Sequence, residues 1–366
     1  MSAAAWQAPP QALRGVRVLD FSHVIAGPFA TFQLARMGAE VIKVERPGGG
    51  DVMRRSGSGA HAFTALNAGK QARAIDLATP PGRAEALDLA RQADLMVDNY
   101  RPGVLERHGL GYEQVKAINP RIVYCAISGY GRSDPALAAR GAYDHVVQGL
   151  TGMAMLAGQE CDPPIKVGFP VIDAATGLVG ALAMMAALRE RDQTGHGSFL
   201  DVSMWASALQ LMYPFACDVL STGQEIARVG NKGFSGSPAA DMFACRDGWL
   251  ALGANTPQHI AALMQVLGVD PQRYAPLLDA GSGKGPAFAR ARDPAAFREL
   301  LAEQLAGHPA AELEQRLNDA GVPAARVRSL REFTQQAVDT GLLQPLVLGA
   351  GEERAVTPGL GWRVAR

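Results

Sequence analysis

From Val16 onward the chain alternates short apolar runs with stretches of helical periodicity. Val16–Phe21, Val41–Glu45, Ala74–Leu77, Leu95–Asn99, Ile122–Ile127 and Phe199–Val202 read as strands, rich in branched residues and bounded by polar or turn-forming ones. Between them lie helical patterns. One opens at Ala26-Gly27-Pro28 and runs to Met37, where Gly38 stops it. Another starts at Thr79 as N-cap, with Pro80 and Pro81 in its first turn, and continues to about Ala93. A strand, a helix and a second strand in roughly 30 residues is the size of a parallel crossover. Its repetition predicts an α/β fold with a doubly wound, Rossmann-like parallel sheet.

The apolar run Ala174–Leu188 predicts one long helix over about 173–192, broken from the next strand by Thr194-Gly195-His196-Gly197. With Thr176 and two glycines inside it and Arg189-Glu190-Arg191 behind it, the run is short of the about 20 residues a bilayer span needs. It reads as a buried helix, with no membrane partner expected. Beyond about 225 the pattern changes to glycine-rich stretches at 230–237 and 281–285 and alanine-rich helices over 295–320, which predicts a second, smaller domain.

Composition narrows the function classes. The 366 residues carry 35 Lys+Arg against 35 Asp+Glu, so no global charge draws nucleic acid or an acidic surface. Aromatics at 6% argue against a base-stacking surface. Cys125, Cys161, Cys217 and Cys245 are far apart and form no CxxC or Cys/His ligand pattern, so neither a disulfide framework nor a metal site is expected. The N-terminus lacks the basic start and apolar core of a signal peptide, and a cytoplasmic location is expected.

The motifs for nucleotide and hydrolase chemistry are weak. Gly57-Ser58-Gly59-Ala60-His61-Ala62 imitates a dinucleotide fingerprint but does not join a first strand to a helix. Gly281-Ser282-Gly283-Lys284-Gly285 lacks the spacing and following Ser/Thr of a phosphate loop, and neither GxSxG nor HExxH occurs. Two carboxylates near helix starts carry more. Asp173 stands between extended residues 167–172 and the long helix, where it can serve as an N-cap or, held ionised by the helix dipole, as a nucleophile toward an acyl carbonyl. Asp144, after Gly141-Ala142-Tyr143, has the same two readings. Periodicity does not choose between them.

A dozen short segments, in order, resemble the family III CoA-transferases, the group that includes formyl-CoA transferase, carnitine CoA-transferase and α-methylacyl-CoA racemase. They include Gly15-Val16-Arg17-Val18-Leu19-Asp20, His23-Val24-Ile25-Ala26-Gly27-Pro28, Gly38–Pro47, Asp98-Asn99-Tyr100-Arg101-Pro102-Gly103, Ser128-Gly129-Tyr130-Gly131, Asp173-Ala174-Ala175-Thr176-Gly177, Thr194–Gly197 and Gly321–Val327. The resemblance covers nearly the whole chain and is densest over residues 13–205. It implies a large domain built from both chain ends (1–224 and 331–366), a small α+β domain between them (225–330), and two chains interlocked as a homodimer. It implies acyl-CoA:carboxylate CoA transfer between small organic acids, with a dicarboxylate such as succinate as donor acid and with no metal. Asp173 would attack the thioester, giving a mixed anhydride and then an aspartyl-CoA thioester.

The same resemblance places His23, Val24, Ala26, Arg46, Ile75, Asn99, Tyr100 and Arg107 around coenzyme A, with Arg46 on its phosphates. It places Gly233 and Gly236 in a flexible glycine loop that closes over the site, through positive φ and close backbone approach. Two positions depart from particular members. Tyr143 stands where the racemases have the His of an acid–base pair, and a tyrosine hydroxyl, with an ordinary pKa of about 10, is a poor proton shuttle. Tyr143-Asp144 instead matches the aromatic–acidic pair of transferases. Ile25 replaces the Gln of formyl-CoA transferase, which argues against oxalate or formate specificity. The chain also stops soon after Thr357-Pro358-Gly359, short of the usual family tail. The alternatives are an α-methylacyl-CoA racemase or intramolecular CoA-transfer isomerase and, from another class, a non-catalytic CoA-binding subunit.

Overall fold

Because the central strands of the N-terminal half are near-continuous apolar runs, they are buried on both faces. A computed structural model describes residues 6–7, 11–56, 59–279, 288–348, 354–362 and 364–365. Its main sheet contains β1 (Arg17–Asp20), β2 (Glu40–Glu45), β3 (Gln71–Ala74), β4 (Leu95–Asp98), β5 (Val123–Ser128) and β6 (Phe199–Ser203). The strands pair in the order β3-β2-β1-β4-β5-β6, all parallel, with Val18 opposite both Val41 and Leu95. On one face Val18, Val97 and Cys125 pack with Ala30 and Leu34 of α1 (Ala26–Arg36) and with Ala181 and Met184 of the long helix Val171–Thr194. On the other, Leu19, Met96 and Tyr124 meet Ala86, Ala90 and Leu105. This is the doubly wound sheet that the alternating pattern predicts.

The third strand is displaced from its predicted place. It occupies Gln71–Ala74 rather than Ala74–Leu77, and all four of its residues are exposed. An exposed edge strand has no apolar face to announce it, whereas Ile75 and Leu77 pack into the core just beyond it. The chain then turns where Asp76 Oδ1 accepts the Ala78 N–H at 3.0 Å.

The chain divides into two units. The larger takes Met1–Leu156, Pro164–Ile226 and Gly341–Arg366; the smaller takes Ala157–Pro163 and Ala227–Thr340. Boundaries at 224/225 and 330/331 miss two pieces of the smaller unit. Residues 157–163 join it through Arg228, whose guanidinium donates to the carbonyls of Ala157, Asp162 and Pro163. The helix Leu330–Asp339 joins it through a Ser329–Glu332 capping box and a 2.9 Å ion pair from Arg326 to Glu332. Neither tie has a signature in composition.

Within the smaller unit, β7 (Ala239–Cys245), β8 (Gly248–Ala254) and β9 (Ala324–Arg326) form an antiparallel sheet over Phe243, Leu250, Leu263, Phe297 and Leu317. The glycine stretch is pinned to this sheet. Gly233 N–H donates to Ala240 O at 2.7 Å, and Arg290 Nη1 donates to Ser235 O at 2.7 Å. Gly236 has the expected positive φ (65°) and Gly233 does not. Gly233 is needed for close approach, since a Cβ there would stand 3.0 Å from that of Ala240. The glycine motifs at 57–58 and 281–285 lie outside the described residues.

Candidate active site

The strand order reverses direction between β1 and β4. Loops leaving the carboxyl ends of two such strands diverge and open a crevice, the usual ligand site of an open parallel sheet. Here the loops are His23–Ile25 after β1 and Asn99–Gly103 after β4. They are fastened together by one side chain: Asn99 Oδ1 accepts the His23 N–H at 2.9 Å, and Asn99 Nδ2 donates to His23 O at 2.8 Å. The crevice has a volume of about 410 Å³ and is lined by His23, Val24, Ile25, Ala26, Asn99, Tyr100, Tyr143 and Asp173, among others. Eight of the residues expected from sequence therefore face one cleft.

The ends of β1 and β2 also hold a buried charge network. Asp20, wholly buried, accepts from Ser22 N (2.9 Å), Thr31 Oγ1 (2.6 Å) and Lys70 Nζ (3.1 Å). Burial lowers the Lys70 ammonium pKa to about 8, although Asp20 pulls the other way. Lys43 Nζ, equally buried, donates to Ser22 O at 2.6 Å and stands 3.5 Å from Asp51. Buried charges are tolerated only when paired and hydrogen-bonded in this way. Val24, bonded to Asp51 through its N–H, has φ +67°, the one positive value at a non-glycine among the described residues. A β-branched residue pays about 1–3 kcal/mol for that conformation, and such strain concentrates at functional sites.

Asp173 enters the cleft from α3 (Val171–Thr194), preceded in the chain by α2 (Asp144–Leu150). The sequence leaves Asp173 as either N-cap or nucleophile. The N-cap is Pro170, so Asp173 sits in the first turn, and no described residue hydrogen-bonds its carboxylate. The capping is done instead by Asp144, whose Oδ2 accepts the N–H groups of Ile172 (2.7 Å) and Asp173 (3.0 Å) while Oδ1 accepts from Gln148 Nε2 (2.5 Å). Asp144 thus accepts three hydrogen bonds from its own and the next helix, and it does not line the cleft.

The electrostatics correct a second expectation. The helix dipole was expected to keep Asp173 firmly ionised. Burial, seconded by the negative charge of Asp144, instead raises its pKa to about 7. A partly desolvated carboxylate of that basicity is a better nucleophile than a fully solvated one. Burial likewise lowers the His23 pKa, which favours the neutral imidazole, and its ring lies 5.1 Å from that of Tyr100.

Three expected residues are placed elsewhere. Arg46 and Arg107 are exposed and do not line the cleft, and the Ile75 side chain is 3% exposed in the core. Tyr143 is 70% exposed at the rim, stacked on His145. The cleft also contains Arg101 and Arg140, two exposed guanidiniums without an ion-pair partner among the described residues. Arg101 lies in the Asn99–Gly103 segment, but a loop arginine has no periodic signal marking it as a wall of the site. Among the described residues no three His, Cys, Asp or Glu side chains converge as a metal site would require.

The family model for CoA-transferase family III matches residues 13–365. The chain belongs to this family. Among relatives of this family III chain, mouse succinyl-CoA:glutarate CoA-transferase is 37% identical over 72% of the chain and 62% of its own length. Succinyl-CoA–D-citramalate CoA-transferase of Chloroflexus aurantiacus is 32% identical over 89% of the chain and 81% of its own length. The chain thus matches a little under two thirds of the mouse protein. A CaiB/BaiF family protein from Brucella suis superposes with a TM-score of 0.81 at 27% identity, over 96% of this chain and 95% of that one.

Proposed function

We propose that the protein transfers coenzyme A from an acyl-CoA to a free carboxylic acid, with Asp173 as the covalent nucleophile. The observation that carries this reading is a nearly unpartnered, burial-activated carboxylate in the switch-point cleft of a family III chain. In the reaction, an Asp173 oxygen attacks the thioester carbonyl and the C–S bond breaks, giving a mixed anhydride and CoA thiolate. The thiolate attacks the aspartyl carbon and releases the donor acid, leaving an aspartyl-CoA thioester. The acceptor carboxylate then attacks that thioester, and returning thiolate forms the new acyl-CoA and frees Asp173. Every step exchanges one activated acyl group for another, so no ATP is consumed. Arg101 and Arg140 suit the CoA phosphates by charge and by the planar fork of guanidinium.

Dicarboxylates are the substrate class this reading favours, because the relatives are named for succinyl-CoA with glutarate, citramalate or mesaconate. Racemisation is disfavoured by the site. The racemase position is held by the rim residue Tyr143, and Asp144 is committed to capping α3. Succinyl-CoA incubated with a panel of acids, the products read by mass spectrometry, tests the reading. New CoA esters of C4–C6 dicarboxylates are expected. Their absence, together with α-deuterium uptake by 2-methylacyl-CoA in deuterated water, would replace transfer with racemisation.

The working form in this proposal is a homodimer. The helix Tyr213–Thr222 has no buried residue although it carries Val219 and Leu220, and Leu178 and Leu182 of α3 are also exposed. So many large apolar side chains in water mark a protein interface. Sedimentation at micromolar concentration is expected to give twice the chain mass of 38.6 kDa. A monomer retaining full activity would contradict it.

A further inference from the structure

Val24 does not hold its left-handed conformation unaided. Its N–H donates to both carboxylate oxygens of Asp51, at 3.0 and 3.3 Å, and the Asp51 carboxylate is 1% exposed beside Lys43. Asp51 is itself fixed: its N–H donates to Glu45 Oε2 at 2.9 Å, and Arg54 holds the same Glu45 carboxylate through two 2.8 Å bonds. Directly after Val24 comes Ile25, the N-cap of α1, and among the described residues no side chain caps that helix. The first N–H groups of α1 therefore keep their hydrogen-bonding capacity, and Ile25 and Ala26 line the cleft that holds Asp173.

We propose that Asp51 is a positioning residue for CoA transfer: by gripping the left-handed Val24 amide it aims the uncapped first amides of α1 into the Asp173 cleft. This rests on the transferase reading, in which those amides meet the oxyanion that forms when Asp173 attacks the thioester. Asp51 does not line the cleft. It also caps the short turn Val52–Arg55 through Met53 N–H at 3.0 Å, so a purely structural role is the competing account.

Glycine separates the two accounts, because it adopts positive φ without help. Asp51→Ala is expected to lower kcat at least tenfold with KM for acyl-CoA changed less than threefold. In a Val24→Gly background the same substitution is expected to cost less than threefold. Asp51→Asn, which keeps an oxygen acceptor for the Val24 amide, is expected to stay within threefold of the parent. Equal losses with and without Val24→Gly would overturn the proposal. Should Asp51→Ala not fold, Asp51→Asn decides: a loss above threefold overturns the proposal, and a smaller one supports it. A crystal structure of Asp51→Asn serves as a readout free of activity. Val24 is expected to stay at positive φ on the Asn oxygen, and release of that bond with φ unchanged would overturn the grip. A parent that transfers no CoA would sink the functional reading while leaving this structural test standing.

Discussion

Asp173→Asn is expected to abolish CoA transfer, with kcat falling about 10⁴-fold or more, and at the same time to make the protein more stable at pH 8. The first effect follows from removing the carboxylate proposed to form the covalent intermediate. The second follows from the direction of its pKa shift. The Asp173 carboxyl is raised to about 7 in the folded chain, above its unfolded value, so the fold prefers the protonated form. Stability from that preference is full below about pH 4 and is lost as pH rises through about 7. Above pH 7 the ionised group costs the fold. A shift of this size corresponds to at most about 4 kcal/mol, and solvent reaching the partly buried side chain reduces it to about 1–2 kcal/mol. Urea titrations at pH 4 and pH 8 check the point. The variant should match the parent at pH 4 and exceed it at pH 8. A residue kept only as a helix cap would show the opposite, with lost stability and retained turnover.

Asp144 supplies the second large effect. It accepts two N–H groups of the first turn of α3 and lends negative charge to Asp173. Asp144→Ala strips both, and the helix start that carries the nucleophile loosens. Loss of such a cap costs about 1–2 kcal/mol of stability, and misplacing a reacting group by about 1 Å costs on the order of 10²-fold in rate. Asp144→Asn separates charge from cap. The parent kcat/KM should rise with pH through about 7, because the proposed nucleophile, Asp173, attacks only as the anion. Removing the neighbouring charge should move that limb to lower pH, without returning it to the ordinary carboxylate range, because burial is the larger cause. A limb that stays in place or moves to higher pH would show that Asp144 does not act on Asp173 through charge.

Much of this architecture is legible in the sequence because it is written in short-range patterns. The apolar runs around Val18, Val41, Leu95 and Val123 announce strands buried on both faces, and their alternation with helices announces the parallel sheet. The site residues His23 and Asn99 come only through the family resemblance. Periodicity alone left Asp173 undecided between cap and nucleophile. The cap itself lies in a contact between residues 29 positions apart, in which Asp144 accepts the helix-start N–H groups. The grip of Asp51 on Val24 was not foreseen for the same reason: it spans 27 positions and sits in a polar turn with no periodicity. The edge strand at Gln71 was missed because exposure removes the hydrophobic signal.

The central claim is that Asp173 becomes covalently attached to coenzyme A, and mass spectrometry of the protein tests it most directly. The parent is incubated with succinyl-CoA without an acceptor acid, quenched in acid, digested, and read for the peptide spanning Val167–Arg189. The account predicts a CoA-sized mass on Asp173, lost when glutarate is added before the quench and absent in Asp173→Asn. An unmodified peptide from enzyme that is turning over would mean that the acceptor acid attacks the thioester directly, and Asp173 would have no covalent role.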